Sequence, residues 1–166
     1  MAPYVSPRAR PLTDEEALVR SVALALKAPE PWSIEVASAA MARLIGGQPS
    51  PLLVPVPSSS GATEANLQLA RAIASVLPGA IVVDALGRSR PVPSSMLLHC
   101  AGRAPPSVEG HAMVLRREVV GRVWLVDNHV TAGNTLRAAA AALGPAAEPV
   151  GLTWSAAQLE APEPPR

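Results

Sequence analysis

Short apolar runs rich in β-branched residues recur along the chain. Such runs are typical of strands that are buried on both faces of a sheet. They predict five strands, near residues 52–56, 80–86, 111–115, 122–127 and 149–154. Helical patterns at 62–76 and 135–143 separate two pairs of these runs. Because strand-helix-strand units form right-handed parallel crossovers, we expect an α/β fold with a mainly parallel five-stranded sheet flanked by helices.

A helical preface precedes the first predicted strand. Thr13 and Glu16 have the spacing of a capping box, and apolar residues with helical spacing continue from there to about Lys27. Two prolines then interrupt the pattern. Ser33 is the predicted start of a second helix, which should end before Gly46.

Residues 87–110 break the alternation of strands and helices. This stretch is rich in proline, serine and arginine, and it is too long for an ordinary connection. We therefore predict a long flexible loop inside a single domain spanning 13–158. The ends of the 166-residue chain are rich in proline without periodicity, which predicts disordered tails at 1–12 and 159–166.

Composition narrows the range of functions. The formal charge is only +1, Lys27 is the only lysine and aromatic residues are scarce, which disfavours nucleic-acid binding. No apolar run is long enough for a membrane helix, and the N-terminus lacks the features of a secretory signal, so we expect a cytoplasmic protein without membrane contact. Cys100 is the only cysteine, which excludes an intramolecular disulfide and multi-cysteine zinc modules. Nothing in the composition excludes the formation of a homo-oligomer.

The main candidate site follows the fourth predicted strand. Asp127 stands at the end of that strand, where ligands of open parallel sheets bind. The turn after it consists of Val130, Thr131, Ala132, Gly133, Asn134 and Thr135. Its glycine lets the backbone bend close to a ligand, and its amides and hydroxyls precede the positive N-terminus of a helix, which favours a phosphate. With Asp127 accepting hydrogen bonds from sugar hydroxyls, the pattern suggests a ribose 5-phosphate.

The segment VWLVDNHVTAGNTL (123–136) resembles the phosphoribosyl pyrophosphate (PRPP) loop of type I phosphoribosyltransferases. That loop has four apolar residues, two acidic residues, two apolar residues and a T-T/A-G-x-T turn. Asp127 occupies the first acidic position and Asn128 the second, while His129 stands where an apolar residue is usual. The resemblance implies that Asp127 and Asn128 serve the catalytic step and that the turn binds the 5-phosphate.

Other segments are similar to ComF-like, competence-associated phosphoribosyltransferases. LLVPVPSSSGATEANLQLARAIA (52–74) is similar to their VPVP strand, pyrophosphate loop and following helix, and 87–114 is similar to their flexible loop. The resemblance covers about residues 18–154 and lacks their N-terminal zinc module. It implies a pyrophosphate site formed by Ser58, Ser59, Ser60, Gly61, Arg88, Arg90 and Arg103.

The resemblance also implies a reaction. A nitrogen nucleophile attacks the anomeric carbon of PRPP, and pyrophosphate leaves with Mg²⁺ that is held mainly by the ligand and water, without direct protein ligands. Compared with the acidic residue of the motif, Asn128 keeps a hydrogen-bond acceptor but lacks the negative charge. We expect this difference to weaken ligand binding by an amount on the order of 1–2 kcal/mol. Two functions stay open: a phosphoribosyltransferase of nucleotide metabolism with an unknown acceptor, and a weakly active or inactive regulatory or partner protein that binds PRPP or a nucleotide. The alternative for the turn is a structural role without a ligand. The alternative for the three arginines is a loop whose side chains are solvated.

Overall fold

The computed structural model describes residues 11–104 and 106–156 and has a parallel four-stranded sheet at its centre. The strands are β1 (Leu52–Pro55), β2 (Ile81–Val82), β3 (Leu86–Arg88), β4 (Met113–Leu115), β5 (Gly121–Val130) and β6 (Ala147–Ala156). The α-helices are α1 (Asp14–Ala25), α2 (Pro31–Ile45), α3 (Glu64–Ser75), α4 (Ser95–Cys100) and α5 (Asn134–Leu143). The central sheet has the order β2-β1-β5-β6, and β3 pairs with β4 in a separate sheet.

Two apolar cores lie on opposite faces of the central sheet. Side chains of successive strand residues point to opposite faces, so Leu53 and Val126 pack with α1, α2 and α3, whereas Val54 and Leu125 pack with α5. All four of these strand side chains are buried. This two-sided burial explains why β1 and the middle of β5 are apolar runs without a polar face.

The strand register brings two loops to one edge of the sheet. In the parallel pair of β1 and β5, Leu52 lies opposite Val123 and Pro55 lies opposite Val126. The loop that follows β1 and the turn that follows β5 therefore leave the sheet at its carboxyl edge, where open α/β sheets bind ligands. This edge contains the candidate site.

The helical preface begins as its sequence predicts. Thr13 and Glu16 form a reciprocal capping box, in which the Thr13 amide donates to Glu16 Oε2 at 2.9 Å and the Glu16 amide donates to Thr13 Oγ1 at 3.3 Å. The second helix begins at Pro31 rather than at Ser33. Proline suits the first helical position because its missing N–H would have no partner inside the helix.

Four predicted strands differ from the observed ones. β5 and β6 extend further than predicted, to Val130 and Ala156, so Asp127 lies inside β5 rather than at its end. The run at 80–86 is divided between β2 and β3, and the run at 111–115 contributes β4, which pairs antiparallel with β3 through Leu86–Leu115 and Arg88–Met113. The parallel sheet consequently has four strands instead of five. Val114 and Leu115 are more than one third exposed, so this apolar run is a surface hairpin strand that pattern alone does not distinguish from a buried one.

The remaining expectations concern the long loop and the chain ends. Segment 87–110 contains the end of β3, α4 and the start of a short 3₁₀ helix at Glu109–His111, and its flexibility stays a prediction. The predicted tails lie outside the described residues, except for residues 11 and 12. No helix within the described part of the chain is long and apolar enough to cross a membrane.

Candidate functional site

Two adjoining cavities open at the carboxyl edge of the sheet. The larger one, which we call the cleft, has a volume of about 330 Å³, and the smaller one, the turn pocket, has a volume of about 20 Å³. Their common wall is formed by Ser95, Asp127, His129, Thr131 and Thr135. A ligand that occupies both cavities would therefore pass directly over Asp127.

The turn pocket is formed by the turn that joins β5 to α5. Val130, Thr131, Ala132, Gly133, Asn134 and Thr135, the residues that we predicted to bind a 5-phosphate, all line it. Gly133 has φ +77°, a left-handed conformation that glycine adopts without strain. No side chain caps the start of α5 among the described residues, so its first amides are available to an anion.

Side-chain contacts connect this turn to its surroundings. The Asn134 side-chain amide donates to the carbonyl of Pro106 at 2.9 Å, and its oxygen accepts from Arg137 at 2.6 Å. The first bond ties the turn to the long segment between β3 and β4. Asn134 thereby helps to hold the turn in place beside the pocket.

Asp127 is the buried carboxylate of the site. It is 8% exposed, and its Oδ1 accepts hydrogen bonds from Asn66 Nδ2 at 3.1 Å and from the Asn128 amide at 2.8 Å. Burial raises the pKa of Asp127 to about 6, although these hydrogen bonds and the charge of Arg88 act in the opposite direction. The carboxyl group therefore changes its charge close to neutral pH.

Asn66 is a member of the site that sequence reasoning missed. Its Nδ2 donates to the Val56 carbonyl at 2.7 Å as well as to Asp127, while its Oδ1 is buried without a hydrogen-bond partner among the described residues. Asn66 shares the buried face of α3 with Leu69 and Ile73. The signal that could have identified it is an asparagine at an apolar position of a predicted helix.

Arg88 lines the cleft but is held by the protein itself. Its Nε donates to the Ser58 carbonyl at 2.6 Å, Nη2 donates to the Pro57 carbonyl at 3.2 Å, and Nη1 donates to the His111 carbonyl and lies 3.5 Å from His111 Nδ1. Burial lowers the pKa of Arg88, partly offset by Asp127. Burial, and then Arg88, lower the pKa of His111, which favours its neutral form.

The predicted pyrophosphate loop follows β1. Ser58, Ser59 and Ser60 line the cleft, whereas Gly61 lies outside it. The Ser58 amide donates to the Ala62 carbonyl at 2.8 Å, and the Gly61 amide donates to the Ser58 carbonyl at 3.0 Å. The hydroxyls of Ser58 and Ser60 also hydrogen-bond each other at 2.9 Å. The loop can therefore offer a ligand its other amides and the serine hydroxyl positions that this bond leaves.

The other predicted arginines are not brought to the site. Arg90 and Arg103 are exposed and line neither cavity. The long segment instead covers the cleft with Val92, Pro93, Ser94 and Ser95. Asn128 and His129 also line the cleft, and His129 Nδ1 lies 2.8 Å from Ser155 Oγ.

The described residues include no group of three or more side chains that could hold a metal ion. Asp127 is the carboxylate that lines both cavities. A single carboxylate fits Mg²⁺ that arrives with a phosphorylated ligand and keeps most of its ligands from phosphate and water.

No protein-family model, curated protein or solved structure matches the chain. Its resemblance to phosphoribosyltransferases therefore depends on the sequence motifs themselves.

Proposed function

We propose that this protein binds PRPP or a related ribose phosphate, with the 5-phosphate at the turn pocket and the rest of the ligand in the cleft. The observation that carries this proposal is the position of Asp127 in the wall between the two cavities. A buried carboxylate accepts hydrogen bonds from a vicinal diol, and the amides of the adjacent turn favour a phosphate. The two groups suit the two ends of a ribose 5-phosphate.

The turn supports phosphate binding by backbone geometry. Gly133 is left-handed, α5 begins immediately after it, and Thr131 and Thr135 line both cavities. These features are independent of residue 128. Phosphate affinity should therefore persist although Asn128 replaces the second acidic residue of the motif.

The reaction that we propose is phosphoribosyl transfer. A nitrogen nucleophile forms a bond to the anomeric carbon, the bond from that carbon to the pyrophosphate oxygen breaks, and pyrophosphate leaves with the electron pair. The nucleophile releases its proton to solvent. Asp127 orients the sugar hydroxyls, and Ser58, Ser59 and Ser60 line the cleft that would hold the leaving group. Bound Mg²⁺ would neutralise charge on the pyrophosphate, with Asp127 as the nearby carboxylate.

A non-catalytic ribose-phosphate binder of the same fold is the second candidate. The contacts of Arg88 favour it, because this guanidinium is engaged by protein carbonyls, and Arg90 and Arg103 lie outside the cleft. An enzyme that stabilises departing pyrophosphate would be expected to direct several cations at it. The two candidate functions predict the same ligand, but only the enzyme would turn it over.

Calorimetric titration with PRPP in Mg²⁺ tests the ligand assignment. Binding that competes with ribose 5-phosphate is the expected result. A screen of purine, pyrimidine and amine acceptors for pyrophosphate release then separates the two candidates. A folded protein that binds neither PRPP nor ribose 5-phosphate would refute both.

A further inference from the structure

Asn66 has one polar atom to which the site described so far gives no role. Its side-chain nitrogen donates to the Val56 carbonyl and to Asp127. Its side-chain oxygen, Oδ1, is buried and has no hydrogen-bond partner among the described residues, and the residue as a whole is 7% exposed. Because buried polar atoms in folded proteins nearly always have a partner, we expect this oxygen to have one when the site is complete.

The two acceptors of Asn66 fix the orientation of its amide. A carbonyl oxygen and a carboxylate oxygen both require a donor, so the nitrogen rather than the oxygen of the amide faces Val56 and Asp127. The oxygen and nitrogen of a carboxamide lie about 2.2 Å apart, which places Asn66 Oδ1 within about 5.5 Å of Asp127 Oδ1. The unpartnered oxygen is therefore a close neighbour of the carboxylate that we propose to bind the sugar.

The cleft contains a second atom of this kind. His111 Nε2 is buried without a hydrogen-bond partner in the described part of the chain, and His111 lines the cleft as Asn66 does. Unpartnered buried polar atoms are few in native proteins, and each one requires an explanation. Two of them in the lining of one cavity indicate that a polar ligand completes the cleft.

The chemistry of Asn66 Oδ1 limits the ligand group that can meet it. An amide oxygen only accepts hydrogen bonds, so its partner must be a donor. An ionised phosphate offers acceptors, whereas a sugar hydroxyl can donate. Since Asn66 and Asp127 both line the cleft, they present two neighbouring acceptors. Two neighbouring hydroxyls of a ribose suit this pair.

We propose that Asn66 is a specificity-determining residue whose Oδ1 accepts a hydrogen bond from one hydroxyl of the ribose diol, while Asp127 accepts from the other. This inference rests on the proposed function and deepens it, because the cleft should then select ribose phosphates over both the 2-deoxy and the 3-deoxy sugars. The nitrogen of Asn66 holds Asp127, and its oxygen binds the ligand.

The experiment identifies the hydroxyl that each residue recognises. Ribose 5-phosphate, 2-deoxyribose 5-phosphate and 3-deoxyribose 5-phosphate are titrated calorimetrically into the parent, Asn66→Ala, Asp127→Ala and the control Gln68→Ala. Gln68 is an amide in the same helix and does not line the cleft. Circular dichroism confirms that each variant is folded, and Asn66→Ser replaces Asn66→Ala if the alanine variant does not fold.

The parent should bind ribose 5-phosphate about tenfold more tightly than either deoxy sugar, because each missing hydroxyl leaves a buried acceptor unpaired. Asn66→Ala should bind ribose 5-phosphate about tenfold more weakly than the parent does and lose most of its discrimination against one deoxy sugar. Asp127→Ala should lose discrimination against the other deoxy sugar. Gln68→Ala should bind all three sugars like the parent.

A different pattern of discrimination would overturn the inference. If Asn66→Ala and Asp127→Ala lose discrimination against the same sugar, Asn66 acts only through Asp127, and its contact with the ligand is refuted while the proposed function stands. The same conclusion follows if the Asn66 variant weakens all three sugars equally or none of them, or if the parent rejects only one deoxy sugar. A parent that binds the three sugars alike refutes the role of Asn66 without any variant. If the folded parent binds neither these sugars nor PRPP, the proposed function falls and the role of Asn66 falls with it.

Discussion

The side-chain amide of Asn66 donates a hydrogen bond to the carboxylate of Asp127 at 3.1 Å, across 61 positions of sequence. The same amide nitrogen bonds the carbonyl of Val56 at 2.7 Å, so one side chain joins α3 to the residue after β1 and to the carboxyl half of β5. Both Asn66 and Asp127 line the cleft. Asn66 is therefore placed to hold the Asp127 carboxylate in one orientation and to support its ionised form.

Replacing Asn66 tests this relationship. Asn66→Leu removes the side-chain donor shared by the Val56 carbonyl and Asp127, so the free energy of unfolding should fall by about 1–3 kcal/mol. The pKa of Asp127 should rise further, because the bond from Asn66 lowers it. Urea unfolding gives the first quantity, and the pH dependence of PRPP affinity gives the second.

A suitable control for that variant is Gln68→Leu. Gln68 is an amide in the same helix, and its partly exposed side chain donates to Glu64. We expect a change within about 0.5 kcal/mol and an unchanged pH profile. Equal effects of the two substitutions would contradict a specific role for Asn66.

The pKa of Asp127 predicts how stability depends on pH. Its value in the folded protein is about 6, against an ordinary value of 3.8, so between these values the folded state binds the proton more tightly. The contribution of this group to the free energy of unfolding therefore falls as pH rises from 3.8 to about 6, and it is constant above that range. Asp127→Asn should remove this slope.

At pH 8 the same variant should be more stable than the parent, by an amount on the order of 2–3 kcal/mol, because it removes a buried charge. It should also bind PRPP more weakly, since an amide accepts hydrogen bonds less strongly than a carboxylate. Urea unfolding at pH 5 and pH 8, with calorimetry at pH 8, measures both effects. A variant that is less stable at pH 8 would show that burial of this carboxylate is not costly.

Arg88 is expected to stabilise the fold through its carbonyl contacts. Arg88→Met removes donors from the carbonyls of Ser58, Pro57 and His111, which should lower the free energy of unfolding by about 2–3 kcal/mol. Arg90→Met changes an exposed side chain outside the cleft and should stay within about 0.5 kcal/mol. Thermal and urea unfolding of the two variants compare these roles, and equal stabilities would contradict the structural role of Arg88.

Local signals made part of the fold and site predictable. The capping box at Thr13 gives the start of α1, and the apolar runs locate β1, β5 and β6 in the parallel sheet. Gly133 and the residues around it line the turn pocket because a strand, a glycine turn and a helix follow each other directly in sequence. In such a unit the side chains that form the pocket are neighbours along the chain.

The features that were missed depend on contacts between distant segments. The partners of Arg88 belong to the loop after β1 and to the 3₁₀ helix, so neither its spacing nor its charge shows that its donors are engaged. The pairing of β3 with β4 likewise depends on two short segments that meet only in the folded chain. Lys27 reaches the cleft from the opposite end of the sequence, beyond the range of any local motif.

Gly133 allows a test of the turn that separates backbone strain from crowding. A Cβ atom at this position would lie 3.7 Å from Arg137 Nη2 and 4.0 Å from Val130 Cγ2, which are ordinary contacts, so the protein side leaves room for it. The φ of +77° is the constraint. Gly133→Val should reduce phosphate and PRPP affinity at least tenfold, because a β-branched residue is strained in this conformation.

The matched variant is Gly133→Asn, since asparagine tolerates left-handed backbone. It should retain most of the affinity measured by calorimetry. A comparable loss for asparagine and valine would indicate that the bound ligand, rather than the backbone conformation, requires glycine at this position.

If the proposed ligand is correct, we expect residue 128 to influence how strongly the site binds it with Mg²⁺. Asn128 lines the cleft next to Asp127, and its backbone amide already donates to the Asp127 carboxylate. Asn128→Asp adds a second carboxylate at this point. Without a cation, repulsion between the two carboxylates should raise the pKa of Asp127 further.

With Mg²⁺ present, the added charge becomes favourable, because the ligand and its cation meet two carboxylates instead of one. PRPP affinity should then increase by up to roughly tenfold, equivalent to about 1.4 kcal/mol, and any turnover should rise with it. Calorimetry with Mg²⁺ and with excess chelator measures this difference, with Asn128→Ala as the variant that adds no charge. The expected gain appears only for Asn128→Asp and only with Mg²⁺. If neither the parent nor Asn128→Asp binds PRPP while both remain folded, the turn after β5 is a structural feature and the proposed ligand is wrong.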